Sequence, residues 1–275
     1  MRVAVIGLGL IGGSIAIAAR GRLGADVAGM DRERSVRDEA LACGAVDRVC
    51  DTVAEAVDGA HAAFVAVPVG ALAESVGTVL EHADGDCVVS DVGSTKRAVV
   101  AAHKDPRFIG GHPLAGSESS GLAHACGDMF NGATWYLTPT PATPLELLER
   151  LRSLLQAIGA HPREIDPESH DKLVATVSHL PHVLANALVA QAASTVPTGD
   201  AGPSFRDATR VAGAPGEIWT DIYMTNADLL AHAVEDIIAR LSNFREALLA
   251  SDRARIAAFS DAAMAARARP RERPR

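Results

Sequence analysis

Arg2-Val-Ala-Val-Ile6-Gly7-Leu8-Gly9-Leu10-Ile11-Gly12-Gly13-Ser14 decides the fold of this chain. Residues 2–6 form a β-branched run, 7–13 are rich in glycine, and 14–20 are rich in Ala and Ile, so the stretch reads as strand, tight turn and helix. Gly7, Gly9 and Gly12 make G-x-G-x-x-G in the strand-to-helix context that a dinucleotide site needs. Gly7 permits the turn, Gly9 lets backbone approach a pyrophosphate, and Gly12 lets helix and strand pack closely. Leu8, Leu10 and Ile11 fill the motif, and the helix N-terminus offers N–H donors to phosphate.

Outward from this motif the pattern repeats. A second strand fits 26–31, and further strands fit 62–67, 87–91, 107–110, 134–138 and 161–165, with helical stretches between several of them. Strands alternating with helices predict an α/β fold built on a mostly parallel, doubly wound sheet. Asp31 ends the second strand, where a carboxylate accepts from both ribose hydroxyls and repels a 2′-phosphate. NAD is therefore favoured over NADP, although Arg32 beside it is a residue type that receives such a phosphate.

Past about residue 166 the texture changes. Apolar residues recur at helical spacing over 170–196 and 218–266, separated by a Pro/Gly/Thr/Asp-rich loop at 197–204. The expected domains are thus 1–166 (dinucleotide-binding), 167–266 (all-helical) and a basic tail, 267–275, expected to be disordered.

The tail holds five Arg and one Glu, and removing that +4 from the net −8 leaves a body of −12, which speaks against nucleic acid as a partner. Cys43, Cys50, Cys87 and Cys126 form no C-x-x-C pair and no zinc-like grouping, so neither a disulfide framework nor a metal site is expected. No uninterrupted apolar run approaches ~18 residues and no secretory pattern opens the chain, so no membrane partner and a cytoplasmic location are expected.

Two segments carry candidate chemistry. Phe108-Ile-Gly-Gly-His112-Pro places a histidine, read as lying just after a strand, at the carboxyl edge of the sheet where cofactor crevices lie. Asp91-Val-Gly-Ser94-Thr95-Lys96 ends the strand before it, and the Ser94 hydroxyl is expected to orient one ring nitrogen of His112. With an ordinary histidine pKa near 6.5, His112 is expected to act as a base near neutrality without a large shift. Residues 116–121 do not match a nucleophile elbow, and 93–96 lack the frame of a P-loop.

In the helical half, Ser178-His179-Leu-Pro181-His182 sets two histidines three apart around a proline that costs ~3 kcal/mol in a helix interior. The pair lacks a third ligand or a neighbouring acid for zinc, which leaves substrate contact as the stronger reading. Phe205-Arg-Asp-Ala-Thr209-Arg210 presents a guanidinium suited to bidentate capture of a carboxylate.

Taken together, GLGLIGGS at 7–14, DVGSTK at 91–96, GGHPLAGSESSG at 110–121, HD at 170–171, SHLPH at 178–182 and FRDATRVA at 205–212 closely resemble the prephenate/arogenate dehydrogenase family, in order over about residues 1–260. The resemblance implies a Rossmann domain followed by a helical domain that forms a homodimer, with a small-molecule substrate, prephenate or arogenate, lodged between the two. It implies His112 as catalytic base positioned by Ser94, Arg210 as a carboxylate clamp, His179 and His182 as active-site histidines, and Ser117 and Glu118 as the pocket rim. Thr95 stands where the family more often has Val, and Leu114-Ala115 varies the stretch after His-Pro, which leaves substrate preference open. Neither a chorismate mutase segment nor an ACT-like regulatory module is expected.

The same plan is shared by 3-hydroxyacid dehydrogenases and imine reductases, which would need a lysine in the helical half. Lys172 is the only lysine past Lys104. A catalytically silent NAD-binding sensor is the remaining alternative, against which His112, Ser94 and Arg210 together argue.

Overall fold

Along the first strand, β1 (Arg2–Ile6), Val3 and Val5 face one side of a sheet while Ala4 and Ile6 face the other, and all four are buried. A strand apolar on both faces belongs inside a sheet covered by helices on both sides. A computed structural model bears this out and describes residues 1–116, 119–194, 201–213 and 216–268. These fall into two compact units, Met1–Ala227 and Asp228–Arg275.

In the first unit, β1 is central in a five-stranded parallel sheet of order β3-β2-β1-β4-β5, with β2 at Asp26–Met30, β3 at Arg48–Cys50, β4 at Ala62–Val65 and β5 at Val88–Asp91. The chain winds outward from β1 to β3 and then returns to β4 on the other side of β1. The carboxyl ends of β1 and β4 therefore splay around a crevice. Helices α1 (Leu10–Leu23) and α6 (Leu145–Ala157) contribute to one core with Val3, Val5, Phe64 and Trp135. Helices α3 (Val53–Val57), α4 (Leu72–His82) and α5 (Arg97–Ala102) contribute to the other with Ala4, Ile6, Val65 and Val89. The short α2 (Arg34–Ala42) precedes β3, a three-residue strand too brief for its sequence pattern to show.

Beyond β5 the sheet changes character. Phe108 makes a single parallel bridge to Val89, after which β6 (Gly110–Pro113) runs antiparallel to β7 (Thr134–Thr138), itself parallel to β8 (His161–Glu164). The strand expected at 107–110 thus lies further along, and His112 sits within β6, paired with Tyr136, rather than in a loop after it. Two glycines in a row read as a loop; here close packing requires small residues. A Cβ on Gly111 would stand 2.5 Å from the Asp91 carbonyl oxygen and one on Gly110 would stand 2.4 Å from Thr138 Oγ1.

The rest of the first unit is helical. Helix α7 (Pro167–Val174) starts at Asp166, whose side chain accepts from the Ser169 N–H, with Pro167 in the first turn where its missing N–H is harmless. It runs through a π-turn (Ala175–His179) into α8 (Leu180–Ala193), followed by α9 (Pro203–Thr209), a 3-10 turn (Arg210–Gly213) and α10 (Gly216–Thr225). By length and mean hydropathy, 1.5 in its most apolar stretch, the run Pro167–Ala193 qualifies for a membrane span, which no uninterrupted apolar run in the sequence does. It is instead the rod on which four polar residues of the candidate site are mounted, His170, Asp171, His179 and His182, all of them buried.

The second unit consists of most of α11 (Ala227–Leu249) and of α12 (Arg253–Arg267), joined by a turn in which Asp252 caps α12 through the Arg255 N–H. Ile238, Leu241, Leu248, Leu249, Phe259 and Met264 are exposed on it. Two helices cannot bury that much apolar surface by themselves. Of the expected tail, Arg267 is the last residue of α12, and 269–275 lie outside the described residues.

Candidate active site

The crevice at the β1/β4 switch point opens into a cavity of about 1020 Å³ lined by Gly7, Gly9, Asp31, Ser94, His112 and His179, among others. Gly7 has φ +94°, and a Cβ there would stand 2.5 Å from the Ala66 carbonyl oxygen, so only glycine turns the chain at this point. A Cβ on Gly12 would stand 1.8 Å from the Gly7 oxygen, which is the close helix-strand contact that the motif predicts. Around Gly9, by contrast, nothing lies within 4 Å, and this residue caps α1 without any side-chain hydrogen bond. Open space above uncapped N–H groups at a helix start fits a pyrophosphate. Leu10, Ile11 and Arg32 also line the cavity, whereas Leu8 is buried in the core and spends its N–H on Asp31 Oδ2 at 2.8 Å. That bond, with Glu33 N–H on Oδ1 at 3.0 Å, holds the Asp31 carboxylate at the strand tip. The residues present therefore fit a dinucleotide with free ribose hydroxyls.

Across the cavity, β6 presents His112. Its Nδ1 lies 2.9 Å from Nε2 of His170, and Nδ1 of His170 lies 2.7 Å from Oδ1 of Asp171. The Asp171 carboxylate, fully buried, also accepts the backbone N–H groups of Lys96 (2.7 Å) and Arg97 (2.9 Å) and the Arg97 Nε (3.3 Å). Burial pushes that carboxyl up, but the hydrogen bonds from His170 and from the Arg97 and Lys96 backbone outweigh it and hold it below the ordinary range. Beneath the site Lys96, fully buried, pairs with Asp91, which also takes the Gly111 N–H at 3.0 Å and the Gly93 N–H at 2.8 Å, so one carboxylate ties β5 to the strand that carries His112.

His112 keeps an open side on the cavity and is packed on its others. Desolvation lowers its pKa well below 6.5, and His170, Lys96 and His179 act in the same direction. The expectation of a base without a large shift is thereby corrected: the ring is neutral throughout the neutral range because the charged form is both desolvated and repelled. The hydrogen bond expected from Ser94 to the His112 ring is not made among the described residues. Ser94 lines the same cavity, but among the described residues the partner of the His112 ring is His170.

The cost of Pro181 finds its explanation in the π-turn at Ala175–His179 just before it. A π-turn shifts the register of the backbone ladder, which relieves the clash that a proline makes with the preceding turn. It also aims His179 at the cavity. Asn226, fully buried, accepts from an Arg97 guanidinium N–H (3.1 Å), donates to the Asp171 carbonyl oxygen (2.9 Å), and lies 3.3 Å from His179 Nδ1. Burial lowers the His179 pKa to about 4. His182 stacks on Trp219 with ring centroids 3.6 Å apart, and its Nδ1 meets the Tyr223 hydroxyl and Asn186. Among the described residues, the Nε2 atoms of both histidines are buried without a partner.

Arg210 begins the 3-10 turn, is exposed, and is not among the residues that line the cavity. Ser117 and Glu118 lie outside the described residues. Lys172 is exposed on α7. Among the described residues no group of three His, Cys, Asp or Glu side chains is placed to hold a metal. Arg97, Asp171, Trp219, Tyr223 and Asn226 received no role from the sequence, and only the His-Asp pair at 170–171 lay within a motif that drew notice.

Two family profiles account for most of the chain: prephenate dehydrogenase, nucleotide-binding domain, over residues 15–163, and prephenate dehydrogenase, dimerization domain, over 166–259. The chain belongs to the prephenate dehydrogenase family. It is similar to the prephenate dehydrogenase of Bacillus subtilis (34% identity, covering 88% of this chain and 69% of that one) and to the cyclohexadienyl dehydrogenase of Zymomonas mobilis (33%, 91% and 89%). Among solved structures, the prephenate dehydrogenase of A. aeolicus in complex with hydroxyphenyl propionate and NAD+ matches with a TM-score of 0.91 at 27% identity, covering 97% of both chains. Synechocystis arogenate dehydrogenase matches at 0.82 and 29%, covering 97% and 99%. A 3-hydroxyisobutyrate dehydrogenase from Mycobacterium tuberculosis, at 0.58 and 16%, shares the fold alone. Within the prephenate dehydrogenase family, the expected Rossmann-plus-helical plan stands.

Proposed function

We propose that this chain oxidises and decarboxylates prephenate, or its amino counterpart arogenate, as an NAD-dependent homodimeric enzyme. The observation that carries the reading is the His112 ring: one nitrogen is held by His170, the ring lines the cavity, and the same cavity reaches the dinucleotide crevice.

NAD, when bound, supplies the hydride acceptor; Gly9, the start of α1 and Asp31 are the residues that would hold it. His112 accepts the proton of the ring hydroxyl as that carbon is oxidised. The resulting dienone loses its ring carboxylate as CO2, because aromatisation drives that loss, and the electron pair left behind arrives on the ring oxygen. The atom balance of the overall conversion releases no net proton, so the proton held on His112 returns to that oxygen to give the phenol. His112 thus has to store a proton between two events rather than discard it.

In this reading His112 is the catalytic base. Ser94, which lines the cavity, is a positioning neighbour of His112, and His179, His182, Arg210, Ser117 and Glu118 are assigned to substrate recognition, with Arg210 the carboxylate clamp. The domain division is 1–166 and 167–266, the second being the dimerisation domain. The exposed apolar residues of α11 and α12 support a partner copy covering them. Free cysteines at 43, 50, 87 and 126 support a reducing, cytoplasmic location.

An NADH absorbance assay with prephenate and with arogenate, each with NAD and NADP, tests the proposal. Turnover of at least one acid with NAD, and weaker use of NADP, is expected; no turnover of either acid overturns it.

A further inference from the structure

We propose that His170 and Asp171 are positioning residues that fix which nitrogen of His112 is the base and take up the charge that His112 acquires. The proposal rests on the reading of His112 as base, and its argument is hydrogen-bond polarity.

Asp171 receives three N–H groups besides His170, from the Lys96 and Arg97 backbone and the Arg97 side chain. None of these can accept, so the carboxylate is an ionised acceptor and the 2.7 Å contact requires His170 Nδ1 to carry a proton. A neutral His170 then has a bare Nε2, and the 2.9 Å contact requires His112 Nδ1 to carry a proton. That leaves the His112 Nε2 lone pair as the base. The polarity of a carboxylate two rings away is thus transmitted to the cavity.

When the Nε2 lone pair bonds the hydroxyl proton, His112 becomes an imidazolium facing His170 Nε2. Passing the Nδ1 proton to that nitrogen breaks one N–H bond and forms another. His170 then carries the charge against the Asp171 carboxylate, and His112 is neutral with its proton on Nε2. The groups facing His112 decide the direction: Lys96, on the loop after β5, and His179, on the π-turn, both disfavour charge there, while Asp171 on α7 favours it on His170. Tyr136 on β7 meets the His170 ring edge at 5.8 Å. The reverse transfer returns the proton to the phenol oxygen.

The test is 15N NMR of histidine-labelled protein, with His112→Asn used for assignment, together with kinetics of His170→Leu and His170→Gln. In the wild type at neutral pH, His112 is expected to show a bare Nε2 and a protonated Nδ1. His170→Leu is expected to lower kcat by about 10- to 1,000-fold, with KM for NAD within about 3-fold, and to shift the acid limb of the kcat/KM profile, because His112 loses both the acceptor of its Nδ1 proton and a neighbour that repels its charge. His170→Gln, whose carbonyl oxygen accepts from Nδ1–H but cannot take the proton, is expected to recover the tautomer and only part of kcat. A wild-type His112 protonated on Nε2 and bare on Nδ1, or a His170→Leu enzyme with the wild-type pH profile, overturns the proposal. Since the tautomer is read without turnover, failure of the base reading itself would show separately, as an active His112→Asn enzyme.

Discussion

The amide nitrogen of Asn226 lies 3.3 Å from Nδ1 of His179, and the orientation of that amide is fixed from both ends. Its oxygen faces an Arg97 N–H, which can only donate, and its nitrogen faces the Asp171 carbonyl, which can only accept. His179 Nδ1 is therefore an acceptor and its Nε2 carries the proton, a buried donor without a partner among the described residues. Two neutral histidines of the site thus present opposite polarities: a lone pair on His112 and an N–H on His179.

Replacing Asn226 by Ala leaves the Arg97 N–H and the Asp171 carbonyl without this partner in the interior. We expect a loss of about 1–3 kcal/mol in stability, because stranded buried polar groups carry a penalty of that order, together with a raised KM for the acid substrate. Urea unfolding and steady-state kinetics check both. Unchanged stability would show that the amide is dispensable.

The histidine shifts set a pH dependence. The folded His179 has a pKa of about 4 against 6.5 unperturbed, so below pH 6.5 the unfolded chain binds the proton that the folded one refuses. Stability from this group is complete well above pH 6.5 and falls as pH drops toward 4. Between pH 7 and pH 5 this single group contributes a loss of about 2 kcal/mol. His112 and His182 act with the same sign. Denaturant melts at the two pH values check this, and His179→Gln is expected to lessen the difference.

Arg210→Gln is expected to raise KM for the acid substrate by about 10- to 100-fold with a smaller effect on kcat, since a carboxylate clamp acts on ground and transition states alike and a charge-assisted pair is worth about 1.5–3 kcal/mol. Steady-state kinetics with each acid measure it. An unchanged KM for both removes the residue from the recognition scheme.

Much of this was legible in the sequence because it is local. Gly7, Gly9, Gly12 and Asp31 lie within one strand-turn-helix-strand unit whose spacing has a single physical reading, and the penalty of Pro181 flagged a distorted helix before the π-turn was seen. What the sequence hid is pairing over distance. His112 and His170 are 58 residues apart, and nothing in a His-Asp dipeptide on a helix says which strand its ring will face. Ser94 is near His112 in the chain and lines the same cavity, whereas the ring partner that the helical rod brings is remote in sequence. Gly110-Gly111 misplaced the strand boundary for a related reason, since a glycine needed for close packing looks the same as one needed for a turn. Asn226 carries no sequence signal at all, because its importance comes from three partners on three other segments.

The most direct test of the central claim is the turnover of His112→Asn with NAD and whichever acid the wild type prefers. A fall in kcat of about 10²–10⁴ with NAD affinity little changed is expected, the usual worth of a general base. Turnover near the wild-type rate would contradict the account.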